Sequence, residues 1–250
     1  MSQIVIPVPH SDFDPTEAGV PWKLLEQNQV KVVFATPDGQ VASGDPRLLI
    51  GRGLGPWSPW LMADSNGRQA YQEMIASRAF RNPIRWDDMR AHDFDGVVLP
   101  GGHAPGMKHY LESVTLQKAV SDFFESSKLV GAICHGVVLA ARSKDRAGKS
   151  SLAGRTATSL LRTQELAAWA LTGLCLGNYY RTYPETVQAE VTRHLGNPKS
   201  FRCGPFPLKR DSMDDLEAGF VVEDGNFVSA RWPGDAHRFA RTLVRRLIEN

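Results

Sequence analysis

The sequence predicts an α/β fold in which a mostly parallel sheet is covered by helices on both faces. Three observations predict it. Short β-branched runs alternate with segments of helical period through the N-terminal half, the pattern that crossover helices between parallel strands require. One run, Leu129 to Ile133, is apolar throughout and so belongs near the centre of such a sheet. The composition, 250 residues that are 42% hydrophobic and 22% charged, describes a globular chain able to bury one core without disulfides or a structural metal.

Taken in order, Ile4 to Val8 reads as the first strand. A polar loop, His10 to Thr16, leads to a short helix carrying Trp22, Leu24 and Leu25, with Pro21 in its first turn. Val30 to Thr36 is the second strand, closed by turn chemistry at Pro37-Asp38-Gly39. The Gly- and Pro-rich stretch from Val41 to Gly67 is long for a connection and reads as an insertion near a functional face. Tyr71, Met74 and Ile75 mark a helix from about Arg68 to Phe80. Gly96 to Pro100 is a strand ending abruptly in Gly101-Gly102, and Leu116, Val120, Phe123 and Phe124 recur at helical spacing. After the strand Leu129 to Ile133, His135 to about Ser143 is helix-compatible and too apolar to face water. Beyond residue 150 the pattern weakens. Arg155 to Ser159 fits a strand, Glu185 to Leu195 a helix opened by Pro184, and Phe220 to Val222 with Phe227 to Ala230 a β-hairpin. Phe239, Leu243 and Leu247 form the apolar stripe of a closing helix whose arginines, Arg238, Arg241, Arg245 and Arg246, read as a solvated face. The whole, residues 1–250, reads as one domain with an insertion at about 41–90 and an elaboration at about 160–218.

Charge and cysteine usage narrow the function classes. The balance of 29 Lys+Arg against 27 Asp+Glu lacks the dense basic stripe of a nucleic-acid partner. The longest nearly apolar run, Leu129 to Ala141, is shorter than the ~20 residues of a membrane span, so no membrane association is expected. Met1 to His10 has no basic region of a secretory signal, which points to a cytoplasmic protein. Cys134, Cys175 and Cys203 fit neither a disulfide framework nor a zinc-site spacing, and the histidines show no metal-ligand spacing. Cys175 and Cys203 are expected to be packing thiols. No Walker or dinucleotide loop occurs in a strand-to-helix context.

The strongest chemical signal is Val130-Gly131-Ala132-Ile133-Cys134-His135-Gly136, a buried strand running through a small-residue turn into a buried helix. Such an elbow sets the side chain at the turn on the carboxyl edge of the sheet, with helix N-terminal N–H groups aimed at it. A helix N-terminus favours the thiolate, the reactive form of cysteine. The alternative reading is a cysteine that simply packs, as buried free cysteines commonly do.

On Ala132-Ile133-Cys134-His135-Gly136 the chain resembles the ThiJ/PfpI superfamily, whose members are related to class I glutamine amidotransferases. Two further stretches agree in order: Glu17-Ala18-Gly19-Val20-Pro21 resembles the family's Glu-x-x-x-Pro, and Leu99-Pro100-Gly101-Gly102-His103 its oxyanion loop. The long connection after the second strand is most similar to the larger glyoxalase III and heat-shock chaperone branch. The resemblance implies a flavodoxin-like three-layer sandwich with a nucleophile elbow, a nucleophilic Cys134, and Glu17 as the carboxyl beside its sulfur. Read without the family, Glu17 is a helix-start acid. His135 is either an acid/base or a shaper of the elbow. Gly101, Gly102, His103 and Gly136 would line the oxyanion and substrate subsite, the Gly102 and His135 N–H groups being its donors.

The pattern also departs from the family. An acid expected to orient His135 falls at Arg162 in this register, with Glu165 a substitute if the loop bends. The late His-x-Glu pair of amidotransferases is met only by His237, followed two positions on by Phe239. The implied function is a cofactor-independent, cysteine-dependent enzyme acting on small reactive carbonyls in the manner of glyoxalase III, as a homodimer. The alternatives are a stress-related holdase or redox sensor, and an amidase or peptidase-like hydrolase.

Overall fold

A computed structural model describes residues 2–248 of the chain. Its centre is a seven-stranded sheet in the order β3-β2-β1-β4-β5-β7-β6. The strands are β1 (Gln3–Pro7), β2 (Lys31–Thr36), β3 (Ile84–Arg85), β4 (Gly96–Leu99), β5 (Leu129–Ile133), β6 (Val221–Asp224) and β7 (Phe227–Ala230). All pairings are parallel except β6 with β7. The hairpin forms, but β6 runs on to Asp224, so its turn is the pair Gly225-Asn226, with Gly225 at positive φ, rather than the four residues expected. β1, β4 and β5 are the three central strands, and β4 and β5 are buried along their whole length, which is why their sequences are continuously apolar.

Helix α1 (Pro15–Gln27) packs on one side with α4 (Ser65–Ala76) and the closing α11 (Ala236–Ile248). Gly131 lets α11 approach β5 closely: a Cβ there would lie 2.7 Å from Leu243 Cδ2 and 3.1 Å from Phe239 Cζ. On the other side stand α7 (Val114–Glu125) and α8 (Gly136–Arg142), with the short α6 (Met107–Glu112) and α10 (Val187–Leu195) against α8. This three-layer α/β arrangement is the one the sequence predicts. The closing arginines are less solvated than expected, since Arg245 and Arg246 both pair with Glu223 of β6.

Three local readings are corrected. The helix after β1 begins at Pro15, because Asp14 Oδ1 accepts the N–H groups of Thr16 and Glu17 and so caps it earlier. Glu17 therefore lies in the first turn, and Pro21 inside the helix. The segment 68–80 is not one helix: Ser77, with extended backbone, ends α4 and caps α5 (Arg78–Arg81) through its hydroxyl. Arg155 to Ser159 forms no strand, only an isolated bridge of Ala157 with Phe201. α9 (Arg162–Leu176) has no legible period because it lies on the surface, with Leu174 fully exposed and only Glu165 and Thr172 buried.

The two inserted segments meet above the carboxyl ends of the strands. Helices α2 (Pro46–Ile50) and α3 (Ser58–Leu61) belong to the first. Leu48 and Leu54 from it form a small second core with Ala104 and with Tyr180 from the other. Tyr180 donates its hydroxyl proton to Asp45 at 2.9 Å, and Arg210 donates to the Met62 carbonyl at 2.9 Å. Among the described residues no helix is long and apolar enough to cross a membrane.

Candidate active site

Cys134 sits between β5 and α8 at φ +57, a left-handed conformation unusual for a residue with a Cβ and sustained only where its surroundings enforce it. Its N–H continues the sheet ladder to the Ala230 carbonyl at 3.1 Å. The turn is tight because a Cβ on Gly136 would stand 2.0 Å from the Leu99 carbonyl oxygen, a separation only glycine permits. The end of β4 and the start of α8 are thereby clamped together. Gly101 is constrained in the same way, by His135 N at 2.6 Å and Glu17 Oε2 at 2.8 Å from such a Cβ.

Glu17 is fully buried beside this elbow. Its Oε2 accepts the Gly101 N–H at 2.8 Å, and the Gly101 carbonyl in turn accepts the Asp14 N–H at 2.8 Å. The start of α1 is stitched to the Gly101 loop in both directions. Glu17 Oε1 has no partner of ordinary hydrogen-bond geometry, although a looser interaction with the Cys134 thiol still favours the carboxylate. Burial, and after it the charge of Asp14, hold the Glu17 carboxyl well above the usual range. Burial also pushes Asp14 up to about 6, against its backbone donors and the attraction of Arg210.

The elbow does not favour the thiolate as expected. Burial first, then the carboxyls of Glu17 and Asp14, push the Cys134 thiol well above its ordinary value, outweighing the helix N-terminus and the His135 N–H that acts on the sulfur. The resting sulfur is a thiol. His135 Nδ1 lies 3.5 Å from it. His135 Nε2 faces Thr182 Oγ1 at 3.3 Å, and that hydroxyl donates its own proton to the His103 carbonyl at 2.7 Å. Thr182 must therefore accept from His135, which assigns the proton to Nε2 and leaves the Nδ1 lone pair toward the thiol. Burial, then the neighbouring His103 and Arg142, hold His135 well below 6.5, so the ring is neutral at rest.

Gly101, Gly102, His103 and Gly136, expected to line the oxyanion and substrate subsite, lie in this neighbourhood. Among the described residues the Gly102 N–H finds no acceptor, and its backbone, at φ +155, leaves no room for a Cβ beside the Asp12 carbonyl. The His103 ring stands edge-on to His135, centroids 4.7 Å apart, and burial lowers its pKa to about 4. The ligand atoms of His103, Cys134 and His135 lie within 4.8 Å of one another. The chain brings these side chains together from two loops, a cluster that linear spacing does not reveal. Two imidazoles and a thiol can hold a borderline-soft divalent cation once the thiol is deprotonated.

The expected third acid is absent from His135. Arg162 is exposed at the start of α9, and Glu165, though buried, pairs with Arg181 at 2.9 Å and accepts the Val187 N–H at 2.8 Å. Thr182 stands where an acid was sought, and nothing in its sequence context marks it. Asp14 reads in the sequence as part of a polar loop, and the signal that marks it as a helix cap is its place directly before Pro15. His237 pairs with Asp211 at 3.1 Å, an acid that also accepts the first N–H groups of α11; this is a helix cap. Cys175 and Cys203 are exposed and are not packing thiols.

A cavity of about 210 Å³ opens beside the elbow, with Asp14, His103, Trp60, Leu61, Arg210 and Trp232 in its lining. Trp60, Tyr180 and Trp232 line it, while Trp57 and Trp169 face solvent.

Comparison with known proteins bears on this arrangement. A deglycase of Thermococcus kodakarensis is 28% identical over 165 residues, covering 66% of this chain and 69% of that protein. A probable glutathione-independent glyoxalase of Schizosaccharomyces pombe is 24% identical over 171 residues, 67% of this chain and 59% of that protein. Glyoxalase III of Candida albicans superposes over 100% of this chain and 98% of its own with a TM-score of 0.69 at 17% identity, a likeness of fold. The chain spans less than half the length of the curated relatives it matches at 30% identity. The family model described as "ThiJ/PfpI family-like" matches residues 8–194, which takes in Glu17, the Gly101-Gly102 loop and the Cys134 elbow, and the chain belongs to that family.

Proposed function

We propose that the protein is a glutathione-independent enzyme acting on small reactive carbonyls, converting a 2-oxoaldehyde such as methylglyoxal to the 2-hydroxy acid. The observation that carries this reading is the Cys134 thiol held between a neutral His135 Nδ1 at 3.5 Å and a buried carboxyl whose Oε1 is unpartnered. The sulfur adds to the aldehyde carbon while its proton passes to His135 Nδ1. Glu17, kept protonated by burial, gives its proton to the carbonyl oxygen, and a hemithioacetal results. Glu17, now a carboxylate, takes the hydrogen from the former aldehyde carbon as His135 protonates the adjacent ketone oxygen, giving an enediol. Return of the Glu17 proton to the second carbon, with loss of the enediol proton from the first oxygen to His135, leaves a thioester. Water then adds to the thioester carbon, giving one proton to Glu17. The C–S bond breaks as the departing sulfur takes the proton held by His135, so the hydroxy acid leaves and the thiol, the neutral His135 and the protonated Glu17 are restored. The N–H groups of Gly102 and His135 are the donors for the oxygen that gains charge.

The test is lactate formation from methylglyoxal without glutathione. Wild type should turn over, and Cys134→Ala and Glu17→Gln should each lose at least about 100-fold at equal folded concentration. A wild type that alkylates with iodoacetamide at Cys134 yet forms no lactate would overturn the reading.

A second reading, a holdase that captures unfolded chains, is favoured by one observation. Trp60, Leu174, Phe206 and Leu208 are more than two-thirds exposed, and Trp60, Leu171 and Pro207 flank the mouth of the cavity. Suppression of client aggregation that survives Cys134→Ala would support it. The same apolar rim is the surface through which a homodimer would form.

A further inference from the structure

The cavity beside the elbow is apolar except for a few polar groups, and three of its nitrogens are unsatisfied. Arg210 Nη1, Trp232 Nε1 and His103 Nε2 belong to lining residues, and each is buried with no hydrogen-bond partner among the described residues. The first is the telling one. The guanidinium is fixed by Nη2, which donates to the Met62 carbonyl at 2.9 Å and the Trp60 carbonyl at 3.4 Å, and it lies 5.4 Å from the centroid of the Trp232 ring. No carboxylate among the described residues lies within ion-pair distance of it. Asp14, which shares the cavity, makes no ion pair with Arg210, and its Oδ1 accepts the first N–H groups of α1. Arginine cannot shed its charge, and a buried guanidinium nitrogen without an acceptor is costly unless a ligand completes it.

From this geometry we infer that the site takes substrates carrying a carboxylate, held by Arg210 with the indole N–H of Trp232, and joined to the reacting carbonyl by a short apolar spacer. The lining offers a place for each part of such a molecule: Arg210 for the anion, Leu61 and Leu160 for the spacer, and, for the carbonyl, His103, the residue by which the cluster with Cys134 and His135 borders the cavity. The volume, about seven waters' share of liquid, suits a small acid. A planar fork matches a carboxylate in a way that a neutral hydroxyl or amide does not. The position of the reacting carbon rests on the carbonyl-acting reading. The anchor does not.

Two measurements separate the anchor from the chemistry. Binding of benzoate and of benzamide to the full chain is followed by tryptophan fluorescence in wild type, Arg210→Met and Arg210→Lys. Turnover is compared for 4,5-dioxopentanoate and its neutral counterpart 2-oxopentanal. Wild type should bind benzoate at least about tenfold more tightly than benzamide and prefer the acidic oxoaldehyde in kcat/KM by a similar factor. Arg210→Met should bring both ratios below threefold, and Arg210→Lys should retain part of each. If Arg210→Met fails to fold, the ratios of Arg210→Lys must still fall below those of wild type. Equal binding of benzoate and benzamide, or a preference untouched by both substitutions, overturns the carboxylate anchor even if both oxoaldehydes react. An Arg210-dependent preference for benzoate with no turnover of either oxoaldehyde upholds the anchor and removes the carbonyl chemistry instead.

Discussion

At the scale of single residues, the site is governed by how burial distributes protons among Asp14, Glu17, Cys134 and His135. Thr182 is the positioning residue whose effect is most specific. Thr182→Val removes the acceptor that keeps the His135 proton on Nε2, so the ring can adopt the tautomer that points a proton at the sulfur. We expect kcat for lactate formation to fall about tenfold, less than the ~10²–10⁴ of losing an acid/base group outright. Thr182→Ser should restore it, a rescue that a merely structural role would not show. Asp14 gives a prediction with a sign. Its folded pKa is raised to about 6 from 3.8, so the folded state holds a proton that the unfolded chain has lost, and stability falls as pH rises through that window. Asp14→Asn keeps the cap and removes the buried charge. It should stabilise the fold at pH 7 by up to about 3 kcal/mol, with the gain fading as pH approaches 4. Thermal unfolding of both proteins at pH 4 and pH 7 checks this.

At the scale of elements, the decisive contact is between the end of β4 and the start of α8, where Gly136 lies against the Leu99 carbonyl. Gly136→Ala forces these elements apart and should cost at least about 3 kcal/mol, read by urea denaturation, with loss of turnover in whatever fraction stays folded. Much of this level was legible. The alternation of β-branched runs and helical periods exposed β1, β2, β4, β5 and the helices between them, since a buried parallel strand has no polar face to confuse its pattern. Cys134 was legible for a related reason, because an elbow this crowded admits few residue types, whereas Glu17 and the Gly101-Gly102 loop were marked as site residues by the family resemblance. Boundaries set by single side chains were harder. Asp14 moves the start of α1 so that Glu17 lies inside a helix, and Ser77 divides what Tyr71, Met74 and Ile75 suggest is one helix. α9 was missed because an exposed helix with Leu174 and Trp169 on its outside follows no core-facing period.

At the scale of the whole molecule, the buried pair Arg231 and Asp235 ties the sheet to the second inserted segment. Arg231 Nε and Nη2 each donate to Asp235 at 2.8 Å, Nη1 donates to the carbonyls of Cys203 and Pro205, and both side chains are essentially inaccessible. Asp235 also accepts the Phe220 N–H at 2.9 Å. Arg231→Met leaves Asp235 charged and unpaired and should cost about 3–5 kcal/mol, whereas Arg231→Met with Asp235→Asn should recover part of it because no buried charge then lacks a partner. Equilibrium denaturation of the two variants checks both. The segment held this way carries Pro207 and Arg210 to the cavity, so its loss should also widen the mouth that Trp60 and Leu171 flank.

The sequence by itself determined the sheet and the elbow, because period, glycine placement and strand burial act over a few residues, and the family resemblance added the Glu17 and Gly101-Gly102 motifs. Only the tertiary structure decided what surrounds the sulfur. It placed Thr182 rather than an acid against His135, turned Glu165 toward Arg181, gathered His103 with Cys134 and His135, and brought Arg210 over the same cavity. These choices depend on where two long insertions fold back over the sheet. Burial then set the protonation of the thiol and of Glu17, an effect of the whole enclosure that no local run of residues encodes.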